Sequence, residues 1–253
     1  MNIAYYKTPR LYYPQELCSG ATIKLEGAPH HYLRNVMRKN AGDIIRVFNA
    51  DDGEFAATLN TPHKKYVEAV ISEQIRAPHI ANEDKPQPCI TLACPILPKD
   101  RMDIMIEKAV ELGVSAIQPL IFEHSNVRKL KDERVEAQII EAAEQCERLD
   151  MPKLHHLMSF DAFLRQNDAP VLAAIERNQA QPLLSVLNAK PMNDAQSMVY
   201  LMGPEGGFST TEKSIMDANK SIYAVCLGVR ILRAETAAFY GLSVIDALYG
   251  GRK

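Results

Sequence analysis

The sequence has no long apolar run and no secretory signal. No stretch approaches the roughly 20 apolar residues that are needed to cross a bilayer. Residues 1–5 also lack the charged and then apolar pattern that marks a signal peptide. We therefore expect a cytoplasmic protein with no membrane partner.

Cysteine is scarce, and its spacing suits neither a disulfide framework nor a metal site. The 5 cysteines are odd in number and widely spaced, and no two form a C-x-x-C pair. Cys94 and Cys226 lie in apolar, strand-like runs, where a free cysteine behaves as a small hydrophobic residue. We expect buried, reduced thiols and no bound metal.

A large excess of charge is also missing. Lys and Arg number 29 against 31 Asp and Glu, and the net charge of −2 excludes a histone-like polycation but allows a local basic patch. Hydrophobic residues at 47% and charged residues at 24% are typical of a globular protein. At about 150 residues per domain, the chain of 253 residues predicts one or two domains.

One segment divides the chain. Residues 76–88 contain three prolines, little apolar content and no periodicity, which predicts a linker. The predicted domains are therefore residues 1–75 and 89–253. The first contains short β-prone runs separated by turn signals, as at residues 50–53, and these favour a small β-barrel.

The N-terminal domain also contains one candidate helix with a basic face. Pro29 suits a first helical turn, Leu33, Val36 and Met37 have the spacing of an inward face, and Gly42 follows as a stop. On the other side, basic residues spaced by four should stack, and no acidic residue lies between positions 28 and 41. The basic residues are His30, His31, Arg34, Arg38 and Lys39. This face is either a solvated surface or a binding site for phosphates.

The C-terminal domain alternates between strand and helix patterns. Strand-like runs at residues 90–97, 114–121 and 171–175 alternate with helix-like segments at residues 99–112 and 134–149. About six βα units predict a mostly parallel sheet with helices on both faces. Ligands bind such sheets beyond the carboxyl ends of the strands, so the loops there are the candidate sites.

The loop after the predicted strand at residues 198–202 is rich in glycine. It reads Gly203-Pro-Glu-Gly-Gly-Phe208 and precedes Ser209-Thr-Thr-Glu212, a capping-box pattern that opens a helix. Its glycines allow close approach of a ligand to the backbone, but it is neither G-x-G-x-x-G nor a Walker A motif. We expect no phosphate cradle here, and Glu205 would tolerate a cationic or hydroxyl-bearing ligand.

The loop after the last predicted strand mixes arginines, one acid and aliphatic residues. It reads Leu227-Gly-Val-Arg-Ile-Leu-Arg-Ala-Glu-Thr236. In a purely structural interpretation, Glu235 and Thr236 open the final helix and an arginine pairs with a nearby carboxylate. Charges beside apolar residues at a strand end also suit a pocket for an aromatic base, and both interpretations stay open at this point.

These two loops resemble the signature pair of the RsmE family, bacterial methyltransferases of 16S ribosomal RNA. The similarity continues along the chain, in the family's order, at residues 9–12, 31–38, 108–114 and 141–145. The resemblance implies a PUA-like RNA-binding β-barrel followed by a SPOUT methyltransferase domain with a C-terminal trefoil knot. It also implies a homodimer whose partner is 16S ribosomal RNA or the small ribosomal subunit.

The implied reaction transfers a methyl group from S-adenosylmethionine (SAM) to N3 of a uridine. The sulfonium of SAM already makes the methyl electrophilic, so the protein must mainly position it and no metal is needed. The resemblance places both loops, and the one after residues 171–175, around SAM. The expected SAM-binding residues are Ala173, Ile175, Gly203, Glu205, Gly206, Gly207, Leu227, Gly228, Ile231 and Leu232.

Uracil N3 is a poor nucleophile until its proton leaves. Arg233 is our candidate for stabilising the anion and Glu235 for accepting the proton, although Glu235 could instead only orient Arg233. Because N3 lies on the Watson–Crick edge, the uridine must be unpaired or extruded. The expected RNA contacts are Arg10, His31, Arg34, Arg38 and Lys39.

Two other functions compete with this one. A nicotinamide-dependent oxidoreductase would share the βα pattern but should have G-x-G-x-x-G after its first strand, where residues 94–98 read Cys-Pro-Ile-Leu-Pro. A non-catalytic RNA-binding or ribosome-assembly protein would keep the fold and the basic helix. Binding of SAM separates that protein from an enzyme.

The last predicted helix, at residues 235–249, is apolar on nearly all sides and must be covered. Its own sheet or a second subunit could cover it. The homodimer implied by the resemblance favours the second subunit.

Overall fold

The computed structural model describes residues 5, 8–78, 88–175, 180–190 and 192–250. The chain divides into two compact units, the first comprising Met1–Ile80 with Ala143–Met151 and the second comprising Ala81–Ala142 with Pro152–Lys253. Residues 143–151 therefore belong with the N-terminal part of the chain. Most of the predicted linker, residues 79–87, lies outside the described residues. Within the described ranges, no helix has the length and apolar character that a membrane crossing requires.

The first unit is built on a curled five-stranded sheet. Its strands are β1 (Arg10–Tyr12), β2 (Thr22–Glu26), β3 (Ile44–Asn49), β4 (Gly53–Leu59) and β5 (Tyr66–Arg76). The spatial order is β1-β3-β4-β5-β2, with β1 parallel to β3 and the other pairs antiparallel. In β2, Ile23 and Leu25 are buried and the three other residues are exposed, so one face packs on the core and the other meets water.

After β2 the chain forms α1 (Gly27–His31) and then one π-helical turn at Tyr32–Val36. The N–H of Met37 donates to the carbonyl of Tyr32 at 2.9 Å, which is the i→i+5 bond of a π-helix. The sequence predicted a regular helix that continues through Arg38. That prediction is wrong, because the regular helix ends at His31 and the π turn ends at Val36, before Arg38. The wider turn also changes which side chains share a face.

The π turn alters both faces of the predicted helix. Leu33 is buried, as expected, but Val36 and Met37 are exposed rather than turned inward. Arg38 follows the turn in the left-handed region, at φ +52°. Arg38 therefore does not stack one helical turn above Arg34, although both side chains are exposed.

The second unit contains an eight-stranded sheet and most of the helices. Its strands are β6 (Cys89–Pro95), β7 (Ala116–Ile121), β8 (Lys153–Leu154), β9 (Met158–Ser159), β10 (Val171–Ala174), β11 (Gln181–Pro182), β12 (Ser197–Met202) and β13 (Ile222–Cys226). The helices are α2 (Lys99–Glu111), α3 (Asp132–Gln145), α4 (Phe160–Gln166), α5 (Leu183–Leu187), α6 (Thr210–Ala218) and α7 (Ala234–Tyr249). The end of α3, from Ala143 onward, belongs to the first unit.

The strands of this sheet lie in the order β11-β13-β10-β12-β6-β7-β8, and β9 pairs with β7. All of these pairings are parallel. The predicted α/β class with a mostly parallel sheet is thus confirmed. In β10, Val171, Leu172 and Ala173 are buried in succession, as expected for a strand covered on both faces.

Strand β12 is covered on both faces. Val199 and Leu201 pack in a cluster with Phe160 of α4 and Phe208 before α6. Tyr200, between them, points to the opposite face, because successive side chains of a strand alternate. There its hydroxyl donates to the carbonyl of Ala237 in α7 at 2.8 Å.

Three neighbouring strands, β13, β10 and β12, end at one edge of the sheet. Ala174 pairs with Met202 of β12 on one side and with Val225 of β13 on the other. Because the three strands are parallel, the chain leaves all of them at the same carboxyl edge. The glycine-rich and arginine-bearing loops therefore leave neighbouring positions, separated by a single strand.

Candidate functional site

The glycine turn, residues 203–207, follows β12 and has a tightly held shape. The N–H of Gly207 donates to the carbonyl of Pro204 at 2.8 Å, and Gly207 has φ +73°, which favours glycine. The Phe208 ring lies directly over Gly203, where a Cβ would come within 2.7 Å of the ring. These contacts leave a compact turn whose backbone is accessible between Gly203 and Gly207.

Two residues that the sequence did not predict for this site, Arg101 and His124, hold the turn from neighbouring segments. Arg101, at the start of α2, forms an ion pair with Glu205. His124, in the loop after β7, has Nδ1 3.0 Å from the carbonyl oxygen of Gly207 and approaches Gly206 so closely that a Cβ there would lie 3.0 Å from the His124 Cβ. Since β6 and β7 belong to the same parallel sheet, the carboxyl-end rule that selected the other loops could have selected these as well.

A small cavity lies beside the glycine turn. Its walls are the segment after β6 (residues 95–98), the loop after β7 (residues 124–127) and the turn residues Pro204 and Glu205. The segments at the carboxyl ends of β6, β7 and β12 thus line one concave surface. A larger open groove, lined by Asp168, Asp194 and Tyr223 among others, lies before β10, β12 and β13 and so at the opposite edge of the sheet.

The arginine loop, residues 227–233, follows β13 and exposes apolar side chains. Gly228 has φ +116°, Val229 is 98% exposed and Ile231 is 64% exposed. Leu227 and Leu232 are half-buried. Exposed aliphatic side chains cost free energy in water, so this loop is suited to being covered by a ligand or another chain.

The two predicted catalytic residues lie at the start of α7. Arg233 is the exposed residue that precedes the first helical turn, and Glu235 is in that turn. The Glu235 Oε2 atom is buried and has no hydrogen-bond partner among the described residues. A buried carboxylate oxygen without a donor is costly, and such an atom is available to accept a proton or a hydrogen bond from a ligand.

Tyr200 fixes the position of this helix on the sheet. Its ring packs where Gly241 has no side chain, and its hydroxyl donates to the carbonyl of Ala237, two residues after Glu235. Burial raises the pKa of the Tyr200 hydroxyl, so it remains a protonated donor. The first turn of α7 is thereby held against β12, the strand that ends in the glycine turn.

The basic residues predicted to bind RNA belong to the first unit, and the structure exposes most of them. His31, Arg34 and Arg38 are exposed and Lys39 is half-buried. The exposed Val36 and Met37 lie in the same segment. The structure thus presents a mixed basic and apolar surface here in place of a regular basic stripe.

Arg10 does not belong to this surface, which corrects the sequence prediction. It is 5% exposed, its Nε lies 3.2 Å from the Glu54 carboxylate, and its guanidinium stacks on the Phe48 ring. Its terminal nitrogens donate to the carbonyls of Ala143 at 2.9 Å and Arg148 at 2.8 Å. The side chain is used within the protein and cannot reach a phosphate.

The carboxyl edge offers both backbone and apolar groups to a ligand. The glycine turn and the arginine loop follow strands that flank β10, and the arginine loop leads into the helix that carries the unpaired Glu235 oxygen. In the described ranges, no group of three or more His, Cys, Asp or Glu side chains has a geometry that could hold a metal ion. The residues present fit a ligand with both apolar and polar parts.

Comparison with known proteins identifies the chain. A family model for an RNA methyltransferase domain matches residues 83–246, and one for an RNA methyltransferase PUA domain matches residues 30–72. Ribosomal RNA small subunit methyltransferase E of Rickettsia conorii is 31% identical over 243 residues, 96% of each chain. The chain belongs to the ribosomal RNA small subunit methyltransferase E family. The Bacillus subtilis member is also 31% identical, over 92% of each chain.

Solved structures agree with this membership. A ribosomal RNA small subunit methyltransferase E from Neisseria gonorrhoeae, bound to SAM, has a TM-score of 0.77 and 30% identity and covers 96% of this chain and 98% of its own. A putative methyltransferase from Legionella pneumophila, in complex with SAM, has a TM-score of 0.83 and 29% identity over the same shares. The resemblance drawn from the two loops and the predicted PUA-like N-terminal domain are therefore confirmed.

Proposed function

We propose that the chain transfers a methyl group from SAM to N3 of a uridine in 16S ribosomal RNA. The observation that carries this proposal is that β10, β12 and β13 lie side by side and end at one edge of the sheet, where the glycine and arginine loops begin. Family membership and the SAM bound to two similar structures support the cofactor and the class of RNA. The choice of N3 is what the resemblance to the family implies, and the residues at the start of α7 are assigned roles for that chemistry.

The SAM-binding surface is assigned to the three loops. The residues are Ala173, Ile175, Gly203, Glu205, Gly206, Gly207, Leu227, Gly228, Ile231 and Leu232. The sulfonium of SAM supplies an electrophilic methyl group when SAM is bound. Backbone groups of the glycine turn and aliphatic side chains of the arginine loop bind and orient the donor, which fixes the approach of the nucleophile.

The acceptor must lose a proton, and we assign its removal to Glu235. The unpaired Oε2 of Glu235 supports a role as proton acceptor, since a buried oxygen without a donor is ready to bind the N3–H of uracil. Arg233, one residue before α7, stabilises the imide anion that forms between the two uracil carbonyls. In the alternative, Glu235 only orients Arg233 and accepts no proton. The Glu235→Gln variant should then keep the kcat of the unmodified protein.

RNA binding is assigned to the first unit. His31, Arg34, Arg38 and Lys39 neutralise phosphates, and the exposed Val36 and Met37 contact sugars or bases. The target uridine must be unpaired or extruded for N3 to be reached.

We further propose that the protein is a homodimer in the cytoplasm, where ribosomes are assembled. The exposed Val229, Ile231 and Tyr240, the last on α7, are candidates for the subunit interface. The C-terminal trefoil knot implied by the resemblance stays a prediction.

Calorimetry with SAM, followed by methylation of 16S ribosomal RNA from a strain lacking this protein, tests the proposal. We expect SAM binding and one new N3-methyluridine, located by mass mapping of nucleosides. Absence of SAM binding would favour the non-catalytic RNA-binding protein. With saturating substrates, Glu235→Gln should lower kcat by about 10²–10⁴-fold if Glu235 is the base, and a kcat equal to that of the unmodified protein would remove that role.

A further inference from the structure

Glu212, in the first turn of α6, uses both oxygens of its carboxylate. Oε2 accepts the N–H of Ser209 at 2.8 Å, and the Ser209 hydroxyl accepts the N–H of Glu212 at 3.2 Å. This is the capping box that the sequence predicted. The other oxygen, Oε1, makes a hydrogen bond outside the capping box. It accepts the N–H of Glu123, a residue of the loop after β7, at 2.8 Å.

The loop after β7, residues 122–128, also has hydrogen bonds between its own residues. The hydroxyl of Ser125 accepts the N–H of Phe122 at 2.8 Å, and Arg128 donates to the carbonyl of Glu123 at 2.9 Å. His124, which follows Glu123, has its Nδ1 atom 3.0 Å from the carbonyl oxygen of Gly207. Glu212 therefore ties a loop that contacts the glycine turn to the segment in which that turn ends.

Only a carboxylate can make this pair of bonds. Both partners are N–H donors, so the side chain at position 212 must offer two acceptor oxygens at once. A glutamine has the same length but one acceptor, and would leave either Ser209 or Glu123 with an unpaired N–H. Since Glu212 is only 7% exposed, water does not replace the lost partner at low cost.

An aromatic contact strengthens the same connection. Phe122, which begins the loop, meets the Phe208 ring edge-on with centroids 5.6 Å apart. Phe208 in turn covers Gly203. The loop after β7 thus supports both ends of the glycine turn, through His124 at Gly207 and through Phe122 and Phe208 at Gly203.

We propose that Glu212 is a positioning residue for the methyl donor. Its carboxylate fixes the loop at residues 122–128 against residues 203–209, and this sets the backbone that the donor meets. The inference rests on the proposed function, because it assumes that the glycine turn binds SAM. Glu212 itself touches neither substrate nor reacting atoms, so its effect passes through the turn.

Calorimetry and steady-state kinetics on the full-length protein separate this role from simple helix capping. Glu212→Gln should raise both the Kd and the KM for SAM about ten-fold, because the turn relaxes in the free protein and SAM must restore it at the cost of one unpaired buried N–H, and it should leave the KM for RNA unchanged. Ser159→Ala is the matched control, because it removes the N-cap acceptor of α4, where Ser159 Oγ accepts the N–H of Ala162 at 3.2 Å. This control should lower Tm and leave the Kd for SAM unchanged.

Two further measurements keep the proposal falsifiable. Amide hydrogen exchange needs no SAM, and in Glu212→Gln it should rise in residues 122–128 and 203–209 together. If Glu212→Gln does not fold, His124→Ala replaces it, with a several-fold increase in the Kd for SAM expected. A folded Glu212→Gln protein with unchanged Kd and unchanged exchange would overturn the proposal. Failure of the unmodified protein to bind SAM would overturn the proposed function instead, and the exchange experiment would still report on the connection.

Discussion

The Nε atom of Arg10 lies 3.2 Å from Oε1 of Glu54, and both side chains are buried. Arg46 and Arg76 reach the same carboxylate at 3.1 and 3.2 Å. Burial lowers the pKa of Arg10, and the charge of Glu54 opposes that shift. Three guanidinium groups around one buried carboxylate make Glu54 the centre of the first unit's charge network.

Replacement of Glu54 should therefore destabilise the protein strongly. Glu54→Gln leaves buried guanidinium groups without their counter-charge, and the expected loss is about 3–5 kcal/mol in the free energy of unfolding. Urea denaturation followed by circular dichroism measures it. Glu26→Gln is the control, since Glu26 pairs with Lys24 on the surface and its loss should leave the midpoint unchanged. Equal midpoints for the two variants would contradict the network.

Arg34 and Arg38 should control the salt dependence of RNA binding. If each contacts one phosphate, the Arg34→Glu/Arg38→Glu variant should reduce the slope of log K against log salt by roughly 2. Fluorescence anisotropy with a labelled 16S ribosomal RNA fragment at several salt concentrations measures the slope. Lys190→Glu, at a residue paired with Asp194 in the second unit, is the control and should have no effect. An unchanged slope in the double variant would refute the assignment.

A side chain at position 203 should distort the glycine turn. In Gly203→Ala the new Cβ would lie 2.7 Å from the Phe208 ring, which is too close, so the ring must move. Overpacking of this kind costs about 1–3 kcal/mol, and we expect a lower Tm and weaker SAM binding by calorimetry. Adding Phe208→Leu should recover part of the SAM affinity because it removes the clashing ring atoms. A double variant that binds SAM still more weakly would argue against this clash as the cause.

Cys94 should be inert in the folded protein. It is fully buried in β6, and burial raises the pKa of its thiol to about 12, so almost no thiolate exists at pH 8. Cys18, Cys89 and Cys146 are exposed, so the expectation that the thiols are buried is wrong for these three. Iodoacetamide followed by peptide mass spectrometry should modify Cys18 in the native state, and Cys94 only after unfolding. Equal labelling rates for the two cysteines in native protein would contradict the burial.

The sequence predicted those parts of the site that depend on strand direction. Apolar runs such as residues 171–175 identify buried strands, and parallel strands carry their following loops to one edge, so the glycine and arginine loops could be placed together. Their motifs were also specific enough to indicate the family. The capping box at Ser209 and Glu212 follows from local spacing alone.

What the sequence did not predict depends on partners that are distant along the chain. Arg10 has the charge of an RNA contact, and only its carboxylate and carbonyl partners, 44 or more positions away, show that it is internal. The π turn replaces a helix that propensity and spacing both favoured. His124 and the second oxygen of Glu212 carry no recognisable motif, because their importance comes from where the loop after β7 lies.

The bonds from Arg10 to the carbonyls of Ala143 and Arg148 mean that the N-terminal unit is discontinuous in the gene. A protease cut at residues 76–88, or a gene fusion made there, would separate the N-terminal fragment from residues 143–151. The Arg10 donors would then lack their carbonyl acceptors. Exchange of this unit between relatives would thus require two separate exchanges of sequence. The RNA preference that we propose for this unit and the segment at residues 143–151 should consequently be inherited together.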